Sequence, residues 1–406
     1  MHASFLFLQG VCSPFFACLA LALRQAGHRV AKVNYTVGDQ AYWRGGNAVS
    51  YRGRAEDSAA FYERQFERSQ ATDVVLFGDR RPIHRPAVAR ARERGLRVHV
   101  FEEGYFRPHW VTLERGGVNA HSALPRDPAW YLEAAGRAGA EPARAFAAPF
   151  WLRAWHDVAY HSFSAWNPIF YPRYRTHAPY GAAREYGAYV RRAFTLRRKV
   201  QEDAHTVAVL AQERQPYFLL PLQLESDAQI RDHSRYGSMR ELVDEVMRSF
   251  AQHAPAEALL VVKNHPLDPG FADHGAMVAE RAAHYGLRER VRYLESGHLP
   301  TVLRHARGVV TVNSTVGTAA LDHGCPTLAL ATPIYALPGL TWQHGLDAFW
   351  RDAAPPDAVL YRAFRSIVIH TTQINGGFYS TQGIRLAVRN AVARMTRPRS
   401  PLEALL

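Results

Sequence analysis

The sequence predicts an α/β fold built as two Rossmann-like domains facing a cleft. Three observations carry this expectation. Short apolar runs rich in β-branched residues recur, among them Asp73–Phe77, Leu259–Val262 and Val309–Val312. Each stops at polar residues, Gly78-Asp79-Arg80, Lys263-Asn264-His265-Pro266 and Asn313-Ser314-Thr315, which is how buried parallel strands end. Helix-length segments alternate with these runs in two blocks, separated by a stretch of different composition.

In chain order, Ser4–Leu8 reads as a strand with Gln9-Gly10 as its turn. Pro14–Gln25 reads as the following helix, stopped by Gly27, and Arg29–Asn34 as the second strand. The opening FLFLQGVCSPFFACLALAL is as hydrophobic as a signal peptide. It lacks a basic start and is interrupted by Gln9-Gly10 and Pro14, so it is taken as the first β-α-β unit. Asn34 to Asp39 follow the second strand and face the same crevice as Gln9-Gly10. A polar, Arg-rich helical region covers about 54–70, and Asp73–Phe77 is the next strand. Ala87–Arg94 is a helix closed by Gly95, and the strand Arg97–Phe101 ends in Glu102-Glu103-Gly104-Tyr105.

From about 128 to 205 the composition turns to Trp, Tyr, Arg and Pro. Such a stretch suits ordinary interdomain helices, single-stranded nucleic acid or lipid headgroups. Alternation resumes with Tyr217–Gln223, ending in Leu224-Glu225-Ser226-Asp227. It continues through the helix Ser238–Phe250, the strand before Lys263, the strand Arg292–Leu294, the strand before Asn313, and Thr327–Ala331. Residues from about 356 onward read as helices that return to brace the first domain. The expected domains are therefore 1–205, with 128–205 as its aromatic and basic helical segment, then 206–355, then the C-terminal helices 356–406.

With 406 residues, 48% of them hydrophobic, the chain can bury the cores of two or three domains. The net charge of +13, mostly from Arg, calls for an anionic partner: nucleic acid, an acidic membrane surface or a phosphorylated substrate. The basic residues are scattered and no nucleic-acid motif concentrates them, so nucleic acid is not the expected partner. Cys12, Cys18 and Cys325 have no CxxC spacing or zinc set, which fits a reducing compartment. No uncharged apolar run reaches membrane-spanning length.

Ligands of open α/β sheets bind outside the carboxyl ends of the strands, so the polar residues there are the candidates. Ser314-Thr315 followed by VGTAALDHG is a capped helix start suited to a phosphate or carboxylate; Gly317 and Gly324 lack Walker or GxGxxG spacing. The stretch closes with Tyr335 to Thr341. Lys263 and His265, in a Lys-x-His-Pro context, suit phosphate and carboxylate oxygens. Glu102 or Glu103, before Gly104 and with Arg107 nearby, can serve as general acid or base if burial raises its pKa. Asp227 stands at the mouth of the second domain's first strand, where a carboxylate can attack an anomeric carbon. No Asp-x-Asp occurs, and Lys263, His265, Ser314 and a helix dipole can neutralise a leaving phosphate, so no metal is expected.

Six blocks follow in one order between Phe7 and Trp350: FLQGVCSPFFACLALALRQAGHRVAKVNYTVGD, FEEGYFRPHWVTLERGGVNAHSALPR, PLQLESDAQI, KNHPLDPG, VTVNSTVGTAAL and YALPGLTWQHGLDAFW. In them the chain resembles the capsule polysaccharide biosynthesis/export family of KpsS/LipB type, related to the KpsC Kdo transferases. The resemblance implies the glycosyltransferase-B architecture in a cytoplasmic enzyme, peripheral on the inner membrane. It implies retaining transfer of β-Kdo (3-deoxy-D-manno-octulosonic acid) from CMP-β-Kdo to a phosphatidylglycerol-type lipid, starting the poly-Kdo linker of capsular polysaccharide. On this resemblance Asp227, in Gln223-Leu-Glu-Ser-Asp227, is the nucleophile and Glu102 or Glu103 the acid/base. Lys263, His265, Pro266, Asn313, Ser314, Thr315 and Gln223 hold the donor, and Gln9, Gly10, Asn34, Asp39, Arg107, Tyr335 and Thr341 line the acceptor side or cleft. The implied partners are the anionic inner face of the cytoplasmic membrane, a KpsC-like transferase and the capsule export machinery. KpsC-type transferases carry Asp-Asp where this chain has Ser226-Asp227, and Glu-Asp where it has Glu102-Glu103. Two other functions compete: a non-catalytic export component that binds capsule or lipid, and a nucleotide-sugar epimerase-like enzyme on the same plan.

Overall fold

The computed structural model describes residues 2–43, 45–139, 142–176, 180–212, 215–224 and 235–406. The chain divides into two units, Met1–Pro125 with Glu133–His177 and Arg365–Leu406, and Arg126–Leu132 with Ala178–Phe364. The expected boundary at 205/206 lies inside a single helix, Ala182–Gln212, and that at 355/356 lies just before the helix Ala358–Thr372.

The first unit is built on β1 (Ser4–Phe7), β2 (Arg29–Asn34), β3 (Ala48–Ser50), β4 (Asp73–Phe77), β5 (Arg97–Glu103) and β6 (Trp110–Arg115), with a late strand, Gln373–Asn375. The strand order is Gln373–Asn375, β6, β5, β4, β1, β2, β3. β1 to β5 pair in parallel, while β6 runs antiparallel to β5, and Gln373–Asn375 antiparallel to β6. Side chains alternate across a strand, so β1 feeds two cores. Phe5 and Phe7 pack with Phe15, Phe16, Phe101 and Phe378; Leu6 and Leu8 pack with Val33, Tyr62, Phe66 and Val74 on the other face. The first core lies under the helices Phe15–Gln25 and Thr381–Met395. The chain rejoins the first unit from Arg365 rather than from about 356, and three of its residues there form a strand, because Gln373–Asn375 pairs with the open edge of β6.

The second unit is a parallel sheet of β7 (Tyr217–Pro221), β8 (Leu259–Lys263), β9 (Val291–Leu294), β10 (Gly308–Thr311) and β11 (Thr327–Ala329), in the order β11, β10, β7, β8, β9. Phe218 and Leu220 face a core shared with the helix Met239–His253 and with Phe349 and Trp350; Tyr217 and Leu219 face another with Val207, Val302 and Ala320. Ser238 caps the helix Met239–His253, its hydroxyl accepting from the Glu241 N–H at 3.2 Å. No helix among the described residues is long and apolar enough to cross a membrane.

Candidate functional site

Each sheet reverses its strand order beside its first strand, and a crevice at such a switch point is where open α/β sheets take ligands. In the first unit the switch lies between β1 and β4. Arg81, just past β4, spans it by donating to Gln9 Oε1 and to the Gly10 carbonyl, both at 3.1 Å. Gln9 Nε2 donates to Asp39 at 3.3 Å, to Tyr160 at 3.2 Å and to Tyr174 at 3.3 Å. The Asp39 carboxylate also accepts from the Tyr160 hydroxyl at 3.0 Å and from the Tyr35 N–H at 3.0 Å. Gln9 and Asp39 are buried, so this end of the crevice is a closed polar network rather than an open wall. Asn34 is buried as well, and its Oδ1 has no hydrogen-bond partner. Beneath them Lys32 donates to the Leu8 and Val33 carbonyls at 2.7 and 3.0 Å; burial pushes its pKa down to about 8 against the pull of Asp39.

The acidic pair ends β5, and the structure gives its two members different surroundings. Glu102 is pushed up to about 7, chiefly by loss of water, despite the Glu103 N–H that donates to its Oε1 at 3.1 Å and the positive charges of Arg81 and Arg107. Glu103 instead meets Arg153 and the Tyr379 hydroxyl, each at 3.5 Å. Arg107 is exposed and donates to the Gly104 carbonyl at 3.3 Å, so the ion partner of this pair comes from elsewhere in the chain. Gly104 has a steric reason: a Cβ there would lie 2.0 Å from the Trp110 carbonyl oxygen. The late strand braces the same turn, with Gln373 accepting from the Tyr105 N–H at 3.0 Å and donating to Thr112 at 3.0 Å.

In the second unit the switch lies between β7 and β10, and Gln223 and Asn313 close it: Gln223 Nε2 donates to Asn313 Oδ1 at 3.0 Å. Ser314 caps the helix Thr315–Asp322, accepting from the Val316 N–H at 3.2 Å. The expected residues Asn313, Ser314 and Thr315 are half-buried at that helix start. Tyr335 is buried, and its hydroxyl donates to the Ser314 carbonyl at 2.6 Å. The ring lies directly on the first turn, since a Cβ at Gly317 would sit 2.3 Å from the Tyr335 oxygen. Thr341 is also buried, donating to the Leu337 carbonyl at 3.3 Å and accepting from Gln343 at 2.9 Å. Tyr335 and Thr341 therefore support the loop from within.

Lys263 is buried and its pKa is lowered by desolvation; its ammonium donates to the Asn264 carbonyl at 3.2 Å. Asn264 anchors the turn that presents His265 and Pro266, donating to Asp268 at 3.0 Å and to Glu295 at 3.2 Å, while His265 Nδ1 accepts from the Leu267 N–H at 3.1 Å. Asp227, with Glu225 and Ser226, lies outside the described residues. Cys12, Asp157 and His161 place one ligand atom each within 4.8 Å of the others. Burial pushes the Cys12 thiol up to about 12, with Asp157 adding to the effect, so any ion there would have to displace a firmly held proton.

Residues 72–379 match the family model described as capsule polysaccharide biosynthesis protein. The chain belongs to that family. It is 35% identical over 386 residues to the capsule polysaccharide export protein KpsS of Escherichia coli, covering 92% of this chain and 96% of that protein. It is also 35% identical over 386 residues to the capsule polysaccharide modification protein LipB of Neisseria meningitidis serogroup B, covering 92% and 91%. Among solved structures, the Thermosulfurimonas dismutans KpsC β-Kdo 2,7 transferase aligns over 96% of this chain and 99% of that one, at 13% identity and a TM-score of 0.44.

Several residues of this capsule biosynthesis protein's crevice were not singled out by sequence reading: Arg81, Arg153, Tyr160, Tyr174, Tyr379 and Lys32. Arg81 was within reach, standing one residue past the polar end of a strand. Arg153, Tyr160 and Tyr174 lie in a stretch whose aromatic and basic composition conceals which side chains turn inward, and Tyr379 arrives from the far end of the chain.

Proposed function

We propose that this capsule biosynthesis protein is a retaining β-Kdo transferase that moves Kdo from CMP-β-Kdo to a phosphatidylglycerol-type lipid. The observation that carries the chemistry is Glu102, a carboxyl at a strand's carboxyl end whose pKa of about 7 suits proton transfer near neutral pH. Family membership and the resemblance of the sequence blocks carry the choice of sugar and acceptor.

In this mechanism the Asp227 carboxylate attacks the anomeric carbon of Kdo and the CMP phosphate leaves with the bonding electrons. Phosphate is a good leaving group and needs no proton. Glu102, ionised, then takes the proton of an acceptor hydroxyl as that oxygen attacks the same carbon and releases Asp227. Two inversions give net retention. His265 and the capped start of Thr315–Asp322 hold the phosphate and the sugar carboxylate. Lys263 contributes positive charge from beneath, and Arg153 pairs with Glu103. No metal takes part. The partners are an anionic membrane surface and the capsule assembly machinery, including a KpsC-like transferase.

The test is incubation with enzymatically generated CMP-Kdo and a fluorescent phosphatidylglycerol analogue, read by mass spectrometry of the lipid, beside Asp227→Ala. A gain of one Kdo that disappears in the variant supports the reading. An unmodified lipid with the donor intact removes it in favour of a binding role or another donor, and transfer by the variant removes Asp227 from the chemistry.

A further inference from the structure

The helix Phe150–Ser164 is inverted relative to an ordinary surface helix. Its polar side chains turn inward: Arg153 reaches Glu103, His156 Nδ1 pairs with the Tyr42 hydroxyl at 2.8 Å, and Tyr160 bonds Asp39 and Gln9. Its large apolar side chains turn outward, with Trp151 65% and Trp155 64% exposed one helical turn apart. The surface continues through Phe163 in the last turn and past the helix end through Trp166 (57% exposed), Ile169 (66% exposed) and Phe170. Single exposed apolar residues need no explanation, but this many within 21 consecutive residues make an interaction surface.

The charge around it selects the occupant. From Val158 to Thr176 there is no Asp or Glu, and Arg173 and Arg175 are exposed directly after the aromatic run. Arg52 lies over the Tyr171 ring at 5.7 Å, adding a third cation. A second copy of this chain would bring like charge against like charge, whereas an anionic bilayer offers opposite charge and an apolar layer at one surface. Trp is the side chain that best suits the headgroup boundary, with an apolar body and one N–H to keep wet.

We propose that the outward face of Phe150–Phe170 seats the protein on an anionic bilayer, with Trp151, Trp155, Phe163, Trp166, Ile169 and Phe170 entering the headgroup region and Arg52, Arg173 and Arg175 meeting lipid phosphates. The choice of an anionic lipid rests on the function proposed above. The consequence is geometric: one helix, about 10 Å across, separates the lipid from Glu103 and from the Gln9–Asp39 network. The crevice is thereby held one helix diameter from the bilayer surface.

The experiment is vesicle flotation of the full chain without any sugar donor. Vesicles of phosphatidylcholine with about one third phosphatidylglycerol should carry the wild type, and pure phosphatidylcholine should carry much less. The triple variant Trp151→Ser/Trp155→Ser/Trp166→Ser should lose at least tenfold in partitioning with an unchanged thermal melt, because all three rings are already exposed. Arg173→Glu/Arg175→Glu should lose the preference for phosphatidylglycerol. Phe194→Ser, at a side chain 82% exposed in the other unit, should float like the wild type. Wild-type protein that ignores anionic vesicles, or a triple variant that floats normally, overturns the proposal. A concentration-dependent dimer in lipid-free sedimentation that the triple variant abolishes also overturns it, assigning the face to a second copy. Normal flotation without Kdo transfer indicts only the proposed reaction; transfer to a short-chain, water-soluble phosphatidylglycerol by a protein that does not float indicts only the membrane face.

Discussion

Replacing Glu102 by glutamine isolates the proton transfer. The side chain keeps its shape, and its oxygen can still accept from the Glu103 N–H, now at 3.1 Å. Shape matters because Glu102 Oε2 lies only 3.3 Å from where a Cβ would stand on Gly78. What is lost is a carboxyl with a pKa of about 7. Positioned acid/base groups contribute about 10²–10⁴-fold, or about 3–5 kcal/mol of barrier at 1.36 kcal/mol per decade. If ionised Glu102 is the base, wild-type kcat/KM rises with pH through about 7 and then levels. Glu102→Gln should fall by at least a hundredfold and show no such limb. Glu103→Gln, which removes a partner of Arg153 and Tyr379, should cost less than tenfold and keep it. Initial rates of Kdo transfer to the fluorescent lipid between about pH 5.5 and 8.5 decide the matter. A Glu102→Gln enzyme within threefold of the wild type, or one that retains the limb, refutes the assignment; a larger loss at Glu103 reverses it.

Arg81 holds the Glu102 pKa down by charge, so Arg81→Ala should move the acidic limb upward, and Arg81→Lys should return part of the shift. Glu114 is fully buried, with its carboxyl pushed up to about 8 by desolvation, while Tyr105 donates to it at 3.1 Å. Unfolded, it ionises near 4.5, so between about pH 4.5 and 8 the folded state keeps a proton that the unfolded state releases. Stability should therefore fall as pH rises through that window, and Glu114→Gln should flatten the slope in thermal melts at pH 5, 6, 7 and 8. Gly317→Ala would press a methyl group against the Tyr335 ring, costing about 1–3 kcal/mol in chemical denaturation. Tyr335→Phe should not rescue it, because the ring carbon that bears the oxygen would still stand 2.4 Å from the new Cβ.

The strands other than β3, β6 and Gln373–Asn375 were legible in the sequence because buried parallel strands need unbroken apolar runs and end where polar residues begin. β8 and β10 were located within a residue by the apolar runs Leu259–Val262 and Val309–Val312. The same rule picked out Gln9, Glu102, Gln223, His265 and Asn313, since a strand's carboxyl end is fixed by local sequence. β6 and the strand Gln373–Asn375 were not legible. Gln373 pairs with Thr112 across 261 residues of chain, and no local periodicity records a partner so distant.

What distinguishes Glu102 from its neighbour was equally hidden. Two adjacent glutamates are chemically identical in the sequence, and only packing removes water from one while bringing Arg153 and Tyr379 to the other. The aromatic stretch shows the same division of labour. Its composition announced an unusual surface, but which side chains line the crevice and which face outward depends on how one helix is rotated against the sheet. Local sequence determined where this protein's polar ends would fall; long-range contacts decided their ionisation, because burial and charge partners are properties of the folded chain.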